Sequence, residues 1–70
     1  MQILKISKEP VELYKILKMK NLVQSGGEAK FVISQGFVLL NGIVEKRKSK
    51  KIYSGDIINF NDETIKIIAE

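Results

Sequence analysis

The chain has no cysteine, no histidine and no tryptophan, and one proline in 70 residues. Without cysteine no disulfide braces the fold. Without cysteine and histidine, zinc knuckles, zinc fingers and thiol or imidazole nucleophiles are excluded. The lack of cysteine fits a reducing compartment. Long apolar runs are also missing, and nothing approaches the roughly 20 residues needed to span a bilayer. The opening residues Met1-Gln2-Ile3-Leu4-Lys5 lack the apolar stretch and small-residue cleavage site of a secretory signal. A cytoplasmic location is the expectation. No repeat, linker or low-complexity segment interrupts the sequence, so residues 1–70 are expected to form one domain, acting as a monomer.

What is present suits a small folded domain. A hydrophobic fraction of 44% beside a charged fraction of 29% is that of a globular chain, not a disordered one. The net charge is +4 and it is unevenly placed. Five of the six residues Lys46-Arg47-Lys48-Ser49-Lys50-Lys51 are basic, and Lys15, Lys18, Lys20 and Lys30 make a second group. Such clustering points to a polyanionic partner. Basic runs are often only solvated loops. Self-repulsion of five cations in six residues, however, costs a small domain stability, which favours a phosphate-binding role for this one.

Read along the chain, Gln2 to Ile6 suits an edge strand. Ser7-Lys8-Glu9-Pro10 reads as a helix start, with Ser7 as cap and the proline in the first turn. Residues 11 to 19 carry helical spacing, with Leu13, Ile16 and Leu17 on one face, and Asn21 ends the helix. Ser25-Gly26-Gly27-Glu28 matches a capping box opening a second helix. Ala29, Val32 and Ile33 form its apolar stripe, and Gly36 suits a left-handed C-terminal cap. Asn41-Gly42, between Phe37–Leu40 and Ile43-Val44, predicts a tight hairpin. Tyr53 to Asp56 suits a turn, followed by strands at Ile57–Phe60 and Thr64–Ile68. The fold class is α+β: two helices packed on a small, bent, mainly antiparallel sheet.

The series Leu13, Leu17, Leu22, Ser25-x-x-Glu28-Ala29-Lys30, Ile33, Gln35-Gly36, Val38, Asn41-Gly42 and Gly55-Asp56 resembles the S4 RNA-binding domain over residues 11 to 60. Within that family it is most similar to the short stand-alone bacterial S4-like proteins. The resemblance implies the αL arrangement, a helix-turn-helix surface beside a hairpin, which together grip structured RNA of the ribosomal RNA or tRNA class. The sequence departs from the family pattern in two places. Glu12-Leu13-Tyr14 stands where Arg-Leu-Asp is frequent, and Gly26 follows the capping serine where arginine is frequent. The Lys46–Lys51 run is expected to supply the missing charge.

The expected RNA-contact set is Lys15, Lys18, Gly26, Gly27, Lys30, Lys46, Arg47, Lys48, Lys50 and Lys51. Glycines at the start of a helix leave its free N–H groups open to a phosphate, and Lys30 adds a charge one turn in. Phe31 points away from the stripe of its helix. Either the N-terminal strand or the chain's end covers it, which is the favoured reading, or it stacks on a base or meets a partner. Tyr14 and Tyr53 are expected at the edge of the core. Asp56, Asp62 and Glu63 sit at turns rather than in a catalytic pair, so neither enzymatic activity nor a cofactor or metal is expected. The competing reading is a protein-interaction adaptor on the same fold, built around Phe31.

Overall fold

A computed structural model describes residues 1–70. The element order is β1 (Gln2–Ile6), β2 (Val11–Glu12), α1 (Leu13–Met19), α2 (Gly26–Ser34), β3 (Val38–Leu40), β4 (Ile43–Val44), β5 (Lys51–Ile52), β6 (Ile57–Phe60) and β7 (Glu63–Ala69). Five strands form one sheet in the order β1-β7-β6-β3-β4, and β2 pairs with β5 in a separate two-stranded ladder. The larger sheet is antiparallel except at one edge, where β1 runs parallel to β7 with Gln2 opposite Ile65 and Ile6 opposite Ala69. No helix is long and apolar enough to cross a membrane.

The expected stripes face inward. Leu13, Ile16 and Leu17 of α1 and Ala29 and Ile33 of α2 are buried, with Val32 partly so. They meet Val38, Ile58, Phe60, Ile65 and Ile67 from the sheet in one cluster. Along β7, buried Ile65 and Ile67 alternate with exposed Lys66, the period-2 pattern of a strand with one face in the core.

The first helix starts later than its sequence suggests. Ser7 caps nothing, because Val11 and Glu12 pair with Ile52 and Lys51 across the β2–β5 ladder. The Glu9–Pro10 peptide is cis and lies in the bend before β2, outside the helix. The N-cap is Glu12, whose side chain makes no capping bond. The Leu13 and Tyr14 N–H groups instead donate to the carbonyls of Lys50 (2.9 Å) and Lys48 (3.1 Å).

The second helix follows expectation more closely. The Ser25 hydroxyl accepts from the Glu28 N–H at 3.1 Å. The Glu28 carboxylate reaches back to the Gln24 N–H at 2.7 Å, one residue before the cap.

Asn41 and Gly42 both have positive φ, 52° and 85°, as the favoured hairpin turn requires at its two central positions. The Asn41 side chain then ties the hairpin to the next turn. Its amide donates to Asp56 Oδ1 (3.0 Å) and its oxygen accepts from the Ile57 N–H (2.8 Å). Asp56 Oδ2 accepts in turn from the Tyr53 N–H (2.9 Å). Asn41→Ala therefore strands two partners and puts a Cβ-bearing residue without a local hydrogen bond at positive φ. A loss of about 2 kcal/mol is expected, seen as a melting temperature lower by roughly 10 °C. Asn41→Gly, which relieves only the backbone, should fall in between.

Candidate nucleic-acid interface

The basic segment is not a loose loop. It leaves the sheet after β4 at Glu45, whose N–H bonds the Val38 carbonyl at 3.0 Å. Glu45, 9% exposed, is the one charged residue among the buried ones. It accepts three bonds from Arg47: from the backbone N–H (3.1 Å), from Nε (2.8 Å) and from Nη2 (3.1 Å). These bonds hold the Glu45 carboxyl below the usual carboxylate range against the opposing effect of burial, and the same carboxylate raises the Arg47 guanidinium. The Lys50 N–H then closes a turn on the Arg47 carbonyl (3.2 Å). The carbonyls of Lys48 and Lys50 cap α1 as described. Glu12 is likewise held low, first by a hydrogen bond from Ser49 and then by Lys15. The chain thus spends its backbone carbonyls on α1 and leaves the Lys48 side chain exposed and the Lys50 residue half-buried.

A second set of cations gathers at the junction of the helices. The ammonium of Lys30 lies 4.8 Å from the centre of the Tyr14 ring, and that of Lys15 lies 5.9 Å from it. Both are within range of attraction to an aromatic ring. One residue of α1 therefore gathers a lysine from each helix. Lys15 also pairs with Glu12 at 3.4 Å.

Two hollows mark the surface, and both lie in this region. One, of about 310 Å³, is lined by Arg47, Ser49, Lys50 and Lys51 and by no hydrophobic residue. The other, of about 480 Å³, is lined by Tyr14, Lys15, Lys18 and Met19. The first lining offers three cationic side chains and a hydroxyl to an anion. The second adds an aromatic ring and a thioether to two cations.

Gly26 and Gly27 open α2. A methyl at Gly26 would meet no atom within 4 Å, and one at Gly27 only the Ser25 hydroxyl at 3.8 Å. No neighbouring loop of the chain calls for these glycines. Lys46 is at the other end of α2, a helix roughly 13 Å long. A Cβ at Gly36, beyond that end, would lie 3.3 Å from Lys46 Cε. The expected contact residues thus divide. Lys15, Lys18 and Lys30 join around α1. Arg47, Lys50 and Lys51 share the first hollow, with Lys48 tied to α1 beside it. Gly26–Gly27 and Lys46 sit at opposite ends of α2.

Phe31 requires a correction. It is 60% exposed, so neither the N-terminal strand nor the chain's end covers it. β1 lies instead along β7 at the edge of the sheet. Tyr53 is also more exposed than a core-edge residue, at 50%, whereas Tyr14 packs partly against the core. Sequence reasoning missed Glu45, Ser49 and Met19. For Glu45 there was a signal, a Glu-x-Arg pair at the end of a strand, where residues two apart share a face. No group of three or more Asp, Glu, His or Cys side chains gathers anywhere in the structure.

The helix pair, the hairpin and the adjoining basic loop define the class of protein. The family model described as the S4 domain matches residues 4–68, and the chain belongs to that family. Among its relatives, YbcJ of Escherichia coli strain K12 is 37% identical over 65 residues, covering 91% of this chain and 93% of YbcJ. A Bacillus subtilis protein named as the probable ribosome maturation protein RlbA is 38% identical over 53 residues, 76% of this chain and 75% of that one. The solution structure of E. coli YbcJ, described as revealing an αL motif involved in RNA binding, superposes with a TM-score of 0.76 at 34% identity. It covers 99% of this chain and 89% of that structure.

Proposed function

We propose that the protein is an RNA-binding module that recognises structured RNA, of the ribosomal RNA or tRNA class, mainly through the phosphate backbone. The observation that carries this reading is the way the basic segment is held. Its carbonyls are used to cap α1, and its cationic side chains line a hollow that contains no hydrophobic residue. A duplex RNA offers proteins its shape, its phosphates and its 2′-hydroxyls more readily than its base edges. Lys15, Lys18, Lys30, Lys46, Arg47, Lys48, Lys50 and Lys51 supply the charge, and Gly26 and Gly27 leave the start of α2 open to close approach. The description of the YbcJ structure supports RNA as the ligand, and the name of the B. subtilis relative favours ribosomal RNA. The working form is a monomer of one domain acting in the cytoplasm.

Binding to a fluorescently labelled RNA stem-loop should weaken linearly with log salt concentration. A slope of about −4 or steeper is expected if at least about five phosphates are neutralised, and a flat dependence overturns the reading. Gly26→Ala and Gly27→Ala test the helix end. Each should leave the fold as stable or more so, by up to about 1 kcal/mol. Paired, they should weaken RNA binding roughly tenfold, since the added methyl groups crowd no other part of the chain. Unchanged affinity removes both glycines from the interface.

One observation favours a second reading. Phe31, Phe37, Ile43 and Val44 are 60%, 58%, 74% and 49% exposed. A protein-interaction adaptor would use such side chains, and a protein partner captured by the chain should then survive nuclease and high salt.

A further inference from the structure

Glu45 is out of place in a phosphate-binding loop. It cancels one cation of the segment, and a carboxylate near a phosphate is repulsive. Its burial and its three bonds to Arg47 show what it does instead. The paired fork of Nε and Nη2 on two carboxylate oxygens fixes direction as well as distance. The loop is then fixed in sequence: Glu45 to the sheet through Val38, Arg47 to Glu45, Lys50 to Arg47, and Lys48 and Lys50 to the start of α1.

We propose that Glu45 and Arg47 form a clamp that positions the basic loop for RNA, so that Arg47, which also lines the hollow, acts chiefly as a positioning residue. The inference rests on the phosphate-binding reading above. Long lysine side chains lose conformational freedom on binding, and a loop already held in its bound shape loses less. The clamp therefore raises affinity while lowering the net charge.

That opposition gives the test its sign. Glu45→Gln raises the net charge by one, from +4 to +5, so charge alone makes the variant bind more tightly. The clamp makes it bind more weakly, by roughly threefold to tenfold. Arg47→Lys keeps the charge but loses the fork, and should weaken binding to a similar extent. Because both changes act through one pair, the double variant should lose no more than the weaker single variant. Binding to deproteinised ribosomal RNA is measured at a temperature where circular dichroism shows every variant folded, so a loss of fold does not enter. Should Glu45→Gln fold poorly, Arg47→Lys carries the test.

Binding by Glu45→Gln or Arg47→Lys as tight as or tighter than that of the parent overturns the clamp. So do losses that add in the double variant. Lys48→Glu with Lys50→Glu is the control for the underlying reading. If that reversal weakens binding and the clamp variants do not, only the clamp fails. If the reversal has no effect, the phosphate surface fails and the clamp falls with it.

Discussion

Lys48→Glu combined with Lys50→Glu should weaken binding to structured RNA by roughly a hundredfold at moderate salt and make the salt dependence shallower by about two units of slope. Each reversal removes an attraction to phosphate and adds a repulsion. Stability should fall only modestly: the side chains of Lys48 and Lys50 take no part in capping α1, although the charge of Lys50 helps hold the Glu45 carboxyl low. Lys51 is better left in place, since it stands opposite Glu12 in the β2–β5 ladder and its reversal would set two acids side by side. Lys5→Glu with Lys66→Glu makes the same change of charge on the paired strands β1 and β7, where both residues are exposed. Fluorescence anisotropy over a range of salt concentrations separates the outcomes. A large loss confined to the loop variant places the RNA there. Equal losses in both pairs mean that only the overall charge matters.

Features set by residues a few positions apart were readable in advance. The Ser25–Glu28 cap, the Asn41-Gly42 turn and the two inward stripes each depend on bonds or spacings within one turn or hairpin. The sequence misled where the partner is distant. Ser7 looked like a cap because serine before a proline and a periodic stretch usually is one. The N–H groups of α1 instead find the carbonyls of Lys48 and Lys50, far along the chain, and the short β2–β5 ladder that brings them there leaves almost no pattern in two-residue strands. The same holds for Phe31. Its position off the stripe of α2 was legible, but its exposure depends on where β1 goes, and β1 pairs in parallel with β7. At the site, charge was legible and geometry was not. The basic run announced itself by composition. Composition could not show that Arg47, exposed like Lys48, is bound to Glu45, nor place Lys15 and Lys30 over one tyrosine ring.

Ile58→Ala should have the largest effect on stability and almost none on intrinsic RNA affinity. Ile58 has no exposed surface and lies in β6, the middle strand of the sheet, opposite Ile65 on one side and Leu40 on the other. Truncating a buried isoleucine costs about 2–5 kcal/mol, because the cavity it leaves collapses only in part. A chain of this length holds on the order of 4–10 kcal/mol in total, with no disulfide to add to it. The melting temperature should therefore fall by at least about 10 °C, and at the upper end of the cost much of the protein is unfolded at 37 °C. No proposed contact residue lies in β6 or in the strands on either side of it, so in the cold, where the variant is folded, it should bind RNA as the parent does. Saturating RNA should also restore part of the lost melting temperature, since a ligand that binds only the folded form stabilises it by mass action. Thermal melts with and without RNA check both points. The pattern is the converse of the lysine reversal, which should lower the melt without RNA only slightly and abolish most of the RNA-dependent rise. If Ile58→Ala instead binds weakly while fully folded, the phosphate surface depends on the packing of β6, and the loop is not held by Glu45, Arg47 and α1 alone.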